Sequence, residues 1–369
     1  MRNILIIHET MNGGGAEKVL CDILANFDYE RYCVDLLLVY KKGIHLNRIV
    51  KNVNVYSIYE QDKPLVEKIL FNIKPLLDIW QKRKIKKIVK QNTYDTIISF
   101  MEGVAAKYHS FVTNYASCNI SWIHCNLSQN HWSEKYWRSI KEESGFYQSL
   151  NHVFCVSTGA KSEADLLFHL LGNSSVLYNL IDWKDINKKA NMNEVSKNKF
   201  TICNVGRLVS AKRQDRIIEI AKMLKKKGLD VDFWILGTGT LESELKNKAL
   251  EYDVSNMVHF LGFQINPYPY IKAADLFLMT SDTEGYPLVI CEALCLGKPI
   301  VSTNVTGVDE LLANGIGVVC DFNVEEIVNE IIKLVMNADV LSTYADLSER
   351  KGLEFDKQTI LNRIYSIIQ

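Results

Sequence analysis

The sequence lacks the cysteine spacings that build zinc sites and disulfide frameworks. Its nine cysteines are an odd number, they are scattered over 369 residues, and no Cys-x-x-Cys pair occurs among them. Structural zinc sites and small disulfide-bonded domains need cysteines at closer or paired spacings. We therefore expect free thiols in a reducing compartment.

Long apolar runs are also absent. No stretch approaches the roughly 18 apolar residues that a membrane-spanning helix requires. The first ten residues, MRNILIIHET, contain one short apolar run, whereas a secretory signal has a longer apolar core and a cleavage site of small residues. We therefore expect a cytoplasmic protein without a membrane span.

Neither sign of charge is in excess, since 43 Lys and Arg balance 43 Asp and Glu. A chain without a global positive field is not expected to recruit nucleic acid. The balance conceals a mild asymmetry. Residues 1–180 contain 21 basic and 17 acidic side chains, whereas residues 181–369 contain 22 and 26.

The sequence does contain a regular alternation of short apolar runs with segments of helical periodicity. This alternation is typical of parallel sheets that helices cover on both faces. The chain is too long for one ordinary core and fits two domains. The predicted strands are residues 4–7, 34–39, 96–100, 120–123, 153–156, 176–177, 201–205, 232–236, 258–261, 276–279, 299–302 and 317–319.

The predicted fold is α/β, with two Rossmann-like doubly wound domains facing each other across a cleft. We place the first domain at residues 1–181 and the second at 182–355, and interpret the polar, lysine-rich stretch 182–199 as a linker. The amphipathic segment 356–368 is predicted to form a terminal helix that packs back onto the first domain. Open α/β sheets bind ligands at the carboxyl ends of their strands, so the cleft is the expected site of chemistry.

The first motif at such a strand end is Gly13-Gly14-Gly15-Ala16-Glu17-Lys18. Glycines between a strand and a helix let the backbone approach a ligand, and the helix N-terminus favours anions. Lys18 stands where a dinucleotide fingerprint has its third glycine, which argues against hydride transfer. A glycine turn that serves only packing is the alternative.

The second motif, G-R-L-V-S-A-K from Gly206 to Lys212, follows the first predicted strand of the second half. Arg207 offers a planar fork for phosphate oxygens and Lys212 a mobile point charge, so together they could neutralise a diphosphate. Taken alone the motif is weak, because exposed cations at a helix start are usually only solvated.

The third motif, E-G-Y-P-L-V-I-C-E from Glu284 to Glu292, is the most specific. Glu284 is predicted to lie in a loop, and Glu292 in the first turns of a helix that begins near Pro287. The first-turn amides of a helix have no intrahelical partner and form a ready diphosphate site. The two carboxylates could then bind hydroxyl groups on either side of the phosphates. The alternative is a glutamate that complements the helix dipole and a second, exposed glutamate.

Together these motifs resemble those of the retaining, nucleotide-sugar-dependent glycosyltransferases of family 4, which have the two-domain GT-B architecture. The resemblance covers nearly the whole chain and is densest from Thr201 to Glu310. Its elements are G-R-L-x-x-x-K at 206–212, G-x-G at Gly237 and Gly239, F-L-G at 260–262, the E-x(7)-E pair of Glu284 and Glu292, A-L-C-L-G-K-P-I-V-S-T at 293–303, G-G-G-A-E-K-V-L at 13–20 and Y-N-L-I-D at 178–182.

The resemblance implies a role for each matched polar residue. Arg207 and Lys212 would hold the donor diphosphate and take part in catalysis by accepting the charge that develops on it. Glu284 would contact hydroxyl groups of the transferred sugar on the face where the reaction occurs, which makes it a catalytic residue. Glu292 would bind the ribose diol.

Other matched residues would complete the donor site. Gly262 and its neighbours would lie against the nucleotide base, while Gly14 and Gly15 would close over the diphosphate from the first domain. The implied donor-binding set also contains Gly237, Tyr286, Pro287, Leu288 and Val289.

His124 follows a predicted strand at the place where such enzymes often carry a histidine that faces the donor sugar, so it is a further candidate catalytic residue. Cys125 stands where the family frequently has Asp. A structural histidine at a strand end remains an open alternative. His131 is a nearby competitor that we rank lower.

Asp230-Val231-Asp232 is a D-x-D sequence, the pattern with which other glycosyltransferases bind manganese together with the donor diphosphate. It precedes a predicted strand rather than following it, so we interpret it as turn chemistry. Arg207 and Lys212 supply the positive charge that a metal would bring. We therefore expect no metal and no cofactor, with a UDP-sugar as the preferred donor because UDP is the commonest base in the family.

Residues 81–90, QKRKIKKIVK, hold six cations and no acid, and an apolar, aromatic stretch precedes them. Cations clustered beside an apolar helical face favour an anionic membrane surface. A solvated outer helix is an equally good interpretation of the residues alone. The resemblance favours the membrane, because many such enzymes take lipid-linked acceptors through the N-terminal domain. We therefore expect peripheral contact with the inner face of the plasma membrane through residues 64–90.

The sequence thus predicts a glycosyltransferase that moves a hexose-type sugar to an acceptor hydroxyl with retention at the anomeric carbon. The acceptor would be a saccharide, in particular a lipid-linked one in cell-surface polysaccharide or glycolipid synthesis. The first domain would bind the acceptor and the second the nucleotide sugar. Two alternatives stay open: a nucleotide-sugar epimerase of the same architecture, and an inactive GT-B binding subunit.

Overall fold

The computed structural model describes residues 1–61, 65–128 and 131–368. Two compact units make up the chain, namely residues 1–180 together with the segment from Lys357 onward, and residues 181–356. Each unit is built on one parallel sheet whose strands alternate with helices along the chain. The fold class is therefore α/β with two Rossmann-like sheets, as predicted.

The strands of the first unit are β1 (Arg2–His8), β2 (Tyr32–Tyr40), β3 (Val53–Tyr59), β4 (Thr96–Ser99), β5 (Cys118–Ile123), β6 (His152–Cys155) and β7 (Ser174–Val176). Its helices before residue 180 are α1 (Gly15–Ala25), α2 (Leu65–Leu70), α3 (Lys74–Val89), α4 (Val104–Ser110), α5 (Ile140–Ser149) and α6 (Thr158–Phe168). The sheet order is β3-β2-β1-β4-β5-β6-β7. The order reverses between β1 and β4, a switch point of the kind where doubly wound sheets bind ligands.

The strands of the second unit are β8 (Phe200–Val205), β9 (Val231–Leu236), β10 (Val258–Gly262), β11 (Leu276–Met279), β12 (Ile300–Thr303) and β13 (Val318–Cys320). Its helices are α7 (Trp183–Ala190), α8 (Gln214–Lys226), α9 (Glu242–Glu251), α10 (Tyr268–Ala273), α11 (Leu288–Cys295), α12 (Val308–Leu311), α13 (Val324–Met336) and α14 (Ala338–Leu353). The sheet order is β10-β9-β8-β11-β12-β13, with its switch point between β8 and β11.

The strands predicted from the sequence all form, with ends within two residues of the predicted ones. β3 is an additional strand that the sequence analysis missed. It lies at the edge of its sheet, and most of its side chains are only half-buried. The polar residues Asn54 and Ser57 interrupt its apolar pattern for that reason.

The predicted linker at 182–199 is wrong over its first half, because residues 183–190 form α7. The Asp182 side chain caps this helix by accepting a hydrogen bond from the Asp185 amide at 3.1 Å. Ile186 and Ala190, one turn apart, are buried. The lysines that suggested a linker belong to the solvent side of an amphipathic helix.

The terminal helix α15 (Lys357–Ile367) packs on the first unit. The ring of Tyr365 stacks on Tyr32 with centroids 5.4 Å apart and meets Phe27 edge-on at 5.3 Å. The Asp28 amide donates a hydrogen bond of 2.8 Å to the Tyr365 hydroxyl. Aromatic packing and this hydrogen bond thus attach the last helix to the first sheet.

Two further observations concern the class of protein. All nine cysteines lie among the described residues as free thiols. None of the helices in the described part of the chain combines the length and apolarity needed to cross a bilayer.

Candidate functional site

The carboxyl edge of the second sheet carries glycine-containing loops that are hydrogen-bonded to one another. The Gly206 amide donates to Leu236 O at 2.9 Å, and the Gly237 amide donates to Gly262 O at 2.8 Å. Gly237 has a φ of +137°, and a Cβ there would lie 1.9 Å from the carbonyl oxygen of Gly206. Only glycine fits at this position. Because the hydrogen bonds join neighbouring strand ends, the loops after β8, β9 and β10 form one continuous surface.

Gly262 completes this surface at the end of β10. Its φ of +68° favours glycine, and a Cβ added to it would meet nothing within 4 Å. Phe263 follows with a side chain that is 48% exposed. This end of the edge is therefore open and partly apolar, which suits a flat aromatic ligand.

Arg207 is an exposed side chain directly after β8. The Gln214 side-chain amide donates a hydrogen bond of 3.1 Å to the Arg207 carbonyl and so holds the main chain. Among the described residues, the Arg207 guanidinium has no hydrogen-bond or ion-pair partner. It is therefore available to bind an anion such as phosphate.

Lys212 and Glu284 form an ion pair across the switch point of the second sheet. Lys212 Nζ contacts Glu284 Oε1, and Ser281 Oγ donates to the same oxygen at 2.7 Å. The Lys212 side chain is 25% exposed and that of Glu284 13%. The two residues lie in the loops after β8 and β11, which are adjacent strands. The sequence motifs alone do not indicate this contact.

Further polar contacts hold the same two loops together. Asp282 Oδ1 lies 2.6 Å from Arg216 Nη1, and the Asp282 amide donates to Ala211 O at 2.9 Å. Thr280 Oγ1 donates to the Lys212 carbonyl at 3.1 Å. The sequence analysis missed Asp282 and Arg216, since neither belongs to a motif.

Arg213 is a second cation, after Arg216, that pairs with Asp282. It has a left-handed backbone with φ of +49°, a conformation that disfavours residues with a Cβ. Its guanidinium makes two hydrogen bonds of 2.9 Å to Asp215 and one of 3.0 Å to Asp282. The Asp215 hydrogen bonds, with those of Asp282, raise the pKa of Arg213 above its ordinary value. These contacts stabilise a strained backbone at the residue that follows Lys212.

The N-terminus of α11 has open amides. Pro287 is the N-cap residue and carries no N–H. The amides of Ile290 and Cys291 donate to its carbonyl at 3.1 and 3.4 Å, whereas the amides of Leu288 and Val289 have no partner among the described residues. These two donors and the positive end of the helix dipole can bind an anion.

The loop that leads into α11 lies against Gly307. This glycine has a φ of +82°, and a Cβ there would lie 2.7 Å from Gly285 O and 3.0 Å from Tyr286 Cα. The side chain of Tyr286 is itself buried. Close packing thus sets the course of the main chain at the start of the helix.

Glu292 is buried inside α11, at 5% exposure. Tyr268 of α10 donates a hydrogen bond to Glu292 Oε1 at 3.3 Å. Cys291 and Ala293, its neighbours in the chain, are also buried. The alternative that this glutamate is merely an exposed surface residue is therefore wrong.

In the first unit, His124 follows β5 at the carboxyl edge of the sheet. Its ring packs on Phe100 with centroids 5.1 Å apart. Burial lowers the pKa of His124, and the opposing effects of Glu102 and of a hydrogen bond to the Phe100 main chain do not reverse it. The imidazole is therefore neutral at pH 7. Its Nε2 has no hydrogen-bond partner among the described residues.

Glu102, a buried carboxylate after β4, holds the loop that carries His124. It accepts a hydrogen bond of 2.9 Å from the His124 amide and one of 3.0 Å from Cys125 Sγ. Cys125 therefore has a partner of its own in the position where the resembling family frequently has Asp. Beside them, burial and the nearby His124 lower the pKa of His8 to about 3.

His131 is engaged elsewhere. Its Nε2 lies 2.8 Å from Glu143 Oε2, and Ser133 Oγ donates to the other oxygen of this buried carboxylate at 2.7 Å. Gly14 and Gly15 lie at the start of α1, where Gly14 is the N-cap residue and Gly15 the first helical residue.

The D-x-D sequence has basic partners. Asp230 pairs with Lys199 at 2.6 Å, and Asp232, within β9, lies 3.3 Å from His259. Over residues 1–61, 65–128 and 131–368, no group of three or more His, Cys, Asp and Glu side chains is arranged to hold a metal ion.

The segment predicted to contact a membrane, residues 64–90, contains α2 and α3, and its residue 64 lies outside the described residues. Glu67 anchors α2, because its buried carboxylate accepts hydrogen bonds from three tyrosines and Gln81. Large apolar side chains on these helices and their connection are 48–70% exposed. They are Leu65, Ile69, Ile73, Leu76 and Ile79. We call this face, with the cations of residues 82–90, the α2–α3 surface.

Residues 185–351 match the model of the family described as glycosyl transferases group 1. An uncharacterized glycosyltransferase from Haemophilus influenzae is 26% identical over 353 residues, which are 93% of this chain and 94% of that protein. The N-acetylgalactosamine-N,N'-diacetylbacillosaminyl-diphospho-undecaprenol 4-alpha-N-acetylgalactosaminyltransferase of Campylobacter jejuni is 31% identical over 188 residues, half of each chain.

Among solved structures, Anabaena HepE in complex with UDP and glucose superimposes with a TM-score of 0.79. The alignment covers 99% of both chains at 20% sequence identity. At this identity the likeness shows the fold, which is the GT-B architecture of two Rossmann-like domains.

Proposed function

We propose that the chain is a glycosyltransferase of the glycosyl transferases group 1, whose model matches residues 185–351, and that it moves a hexose-type sugar from a UDP-sugar to an acceptor hydroxyl with retention. One observation carries the proposal. Arg207 and Lys212 follow β8, and the open amides of Leu288 and Val289 begin the helix that follows β11. All four residues therefore lie at the carboxyl edge of one sheet, beside its switch point. This is a concentration of positive charge and donors suited to a diphosphate.

In the proposed complex, the donor diphosphate binds the Leu288 and Val289 amides and the side chains of Arg207 and Lys212. These groups stabilise the charge that develops on the leaving diphosphate as the glycosidic bond stretches. They also bring the positive charge that a divalent metal would otherwise supply. We accordingly propose catalysis without a resident metal or cofactor.

The remaining predicted donor residues receive roles in the same proposal. Glu284 contacts hydroxyl groups of the transferred sugar, and Glu292 binds the ribose diol. The neutral His124 offers an unprotonated nitrogen to the sugar. Gly14, Gly15, Gly237 and Gly262, with Tyr286 and Pro287, provide close main-chain approach to the donor, Gly262 lying against the base.

For the acceptor we propose a saccharide, in particular a lipid-linked one, bound by the first domain. The Campylobacter jejuni relative supports this, since its name describes a saccharide on diphospho-undecaprenol. The α2–α3 surface supports it too, because exposed apolar side chains beside cations suit an anionic membrane. The proposal includes a cytoplasmic location with peripheral contact at the inner face of the plasma membrane, and a role in cell-surface polysaccharide or glycolipid synthesis.

The donor assignment is tested by thermal shift with UDP, GDP, ADP and dTDP at millimolar concentration. A ligand at 100 times its dissociation constant adds about 2.7 kcal/mol to the free energy of unfolding. We expect UDP to raise the melting temperature most. If none of the four nucleotides raises it, the donor-binding proposal is wrong.

The reaction itself is tested by following UDP release from UDP-sugars with and without a glycolipid acceptor. A transferase releases UDP only when an acceptor is present, apart from slow hydrolysis. An epimerase would convert the UDP-sugar without any acceptor, and an inert binding subunit would leave it unchanged.

A further inference from the structure

The contact between Lys212 and Glu284 has a consequence for ligand selection at the proposed donor site. Both residues are expected to bind the donor, Lys212 through its diphosphate and Glu284 through its sugar. In the structure they bind each other instead. A ligand that binds the Lys212 ammonium must therefore break the ion pair between Lys212 and Glu284.

We propose that the Lys212–Glu284 ion pair makes the site discriminate the intact nucleotide sugar from the free nucleoside diphosphate, an inference that rests on the function proposed above. A free diphosphate binds the Lys212 ammonium and thereby breaks its contact with Glu284. Ser281 is then the remaining hydrogen-bond donor to Glu284. A nucleotide sugar also binds the Lys212 ammonium, but its sugar hydroxyl groups donate hydrogen bonds to Glu284 and replace the lost contact. The Glu284 carboxylate thus weakens the binding of the free nucleoside diphosphate, which is the product, but not that of the nucleotide sugar, which is the substrate.

The burial of the pair makes this competition significant. With 25% of Lys212 and 13% of Glu284 exposed, water screens the two charges less than it would screen a surface pair. Removing one of the two donors from a carboxylate that is this deeply buried also costs free energy, because the carboxylate is then incompletely hydrogen-bonded. The competition therefore affects ligand affinity measurably.

The backbone around the pair is held, so the exchange involves side chains. Thr280 Oγ1 donates to the carbonyls of Lys212 and Arg213 at 3.1 and 3.0 Å. Asp282 bridges the same two loops through Arg216 and Arg213. Ser281, which donates to Glu284, is itself held by Thr303 Oγ1, which donates to its carbonyl at 2.6 Å. Glu284 and Lys212 are thus presented to each other by a fixed scaffold.

The test is a double-mutant cycle on UDP affinity, measured by calorimetry for the wild type, Glu284→Gln, Lys212→Met and the double variant. Glu284→Gln should bind UDP roughly three- to tenfold more tightly than the wild type, because Lys212 is no longer held by a charge. Lys212→Met should bind UDP more weakly. In the Lys212→Met background, adding Glu284→Gln should change UDP affinity by less than about twofold.

Glu244→Gln is the matched control, since it removes one carboxylate from an exposed position on α9 of the same unit. It should leave UDP affinity unchanged, which separates the pair from a change in net charge. Melting temperatures of all variants check that each one folds. Unchanged or weaker UDP binding by Glu284→Gln, or equal tightening with and without Lys212, overturns the inference while leaving the donor site intact. A wild type that binds none of the four nucleotides overturns the proposed function and the inference together.

Discussion

Asp282, in the loop after β11, pairs with Arg216 at the start of α8, the helix that follows the loop of Lys212. Arg216 Nη1 lies 2.6 Å from Asp282 Oδ1 and also donates to the Thr280 carbonyl at 2.9 Å. The Arg216 side chain is 7% exposed, whereas that of Asp282 is 41% exposed. A buried guanidinium is thus neutralised by a carboxylate that solvent can reach.

Asp282→Asn should lower the free energy of unfolding by about 1–3 kcal/mol, because it leaves the Arg216 charge buried with less compensation. The estimate is below that for a fully buried pair since Asp282 is partly solvated. Urea unfolding measures the change. The matched control is Asp230→Asn, which breaks the exposed pair with Lys199 and should cost less than about 1 kcal/mol. Equal effects of the two substitutions would contradict the prediction.

Arg207→Ala should weaken UDP binding by about 1.5–3 kcal/mol, because it removes the charge-assisted contact to the diphosphate that we propose. The folded state should be affected little, since the guanidinium has no partner among the described residues. Calorimetric titration with UDP provides the measurement. Arg350→Ala, at an exposed position on α14 of the same unit, is the control and should bind UDP as the wild type does. Unchanged affinity in Arg207→Ala would remove this residue from the site.

Glu284→Gln and Glu292→Gln should differ in steady-state kinetics. In the proposed complex Glu284 faces the transferred sugar, where charge builds in the transition state, so Glu284→Gln should lower kcat by roughly 10²–10³-fold. The proposed partner of Glu292 is the ribose, a part of the donor that does not change in the reaction. Its loss removes uniform binding and should mainly raise the donor KM. If Glu284→Gln turns over normally and Glu292→Gln is inactive, the two roles are reversed.

Neutralising two exposed cations of the α2–α3 surface, Lys82→Gln with Lys87→Gln, should weaken binding to anionic vesicles by about 1 kcal/mol per charge. Co-sedimentation with phosphatidylglycerol vesicles at low salt measures this. Turnover with a short, soluble acceptor should be unchanged. Lys226→Gln with Lys227→Gln removes the same charge from exposed positions in the second unit and should have little effect. A wild type that does not bind such vesicles shows that these helices are only solvated.

Stability should fall on acidification because of two buried histidines. Burial, with a smaller effect of His124, lowers the pKa of His8 to about 3, and burial lowers that of His109 to about 4 against an opposing hydrogen bond to Asn119. Between the ordinary value of 6.5 and these values, the unfolded chain binds protons that the folded chain does not. Unfolding therefore becomes easier as the pH falls, by up to about 1.4 kcal/mol per pH unit for each group.

Urea unfolding between pH 7.5 and pH 5 tests this prediction. His109→Gln removes one of the titrating groups, so its free energy of unfolding should depend less steeply on pH than that of the wild type. Identical slopes for the two proteins would show that His109 does not contribute.

The strand-end positions of many candidate donor-site residues could be predicted from the sequence because the motifs are local. A strand, a glycine or polar loop and a helix start follow one another within about ten residues. Such a run places Arg207 and Glu284 at strand ends without knowledge of the rest of the chain. The helix that begins at Leu288 lies where the E-x(7)-E spacing predicts it. The roles of these residues stay predictions until the variants are measured.

Contacts between distant residues could not be predicted in this way. Lys212 and Glu284 are 72 positions apart and meet because β8 and β11, which are not consecutive, are neighbours in the sheet. Glu102 contacts His124 because β4 and β5 end side by side. No periodicity in the sequence carries this information. Composition also led to a wrong prediction at α7, where the lysine content indicated a linker although the residues form an amphipathic helix.

The sequence by itself determined the class of the fold and the positions of the site-bearing loops, since apolar periodicity and turn residues act over short ranges. Only the tertiary structure decided which of these charged groups are paired and how deeply they are buried. Lys212 is held by Glu284, Arg207 is open, and Glu292 lies inside its helix packing. Strand order and long-range packing set those environments, and the environment of a charge decides what it can bind.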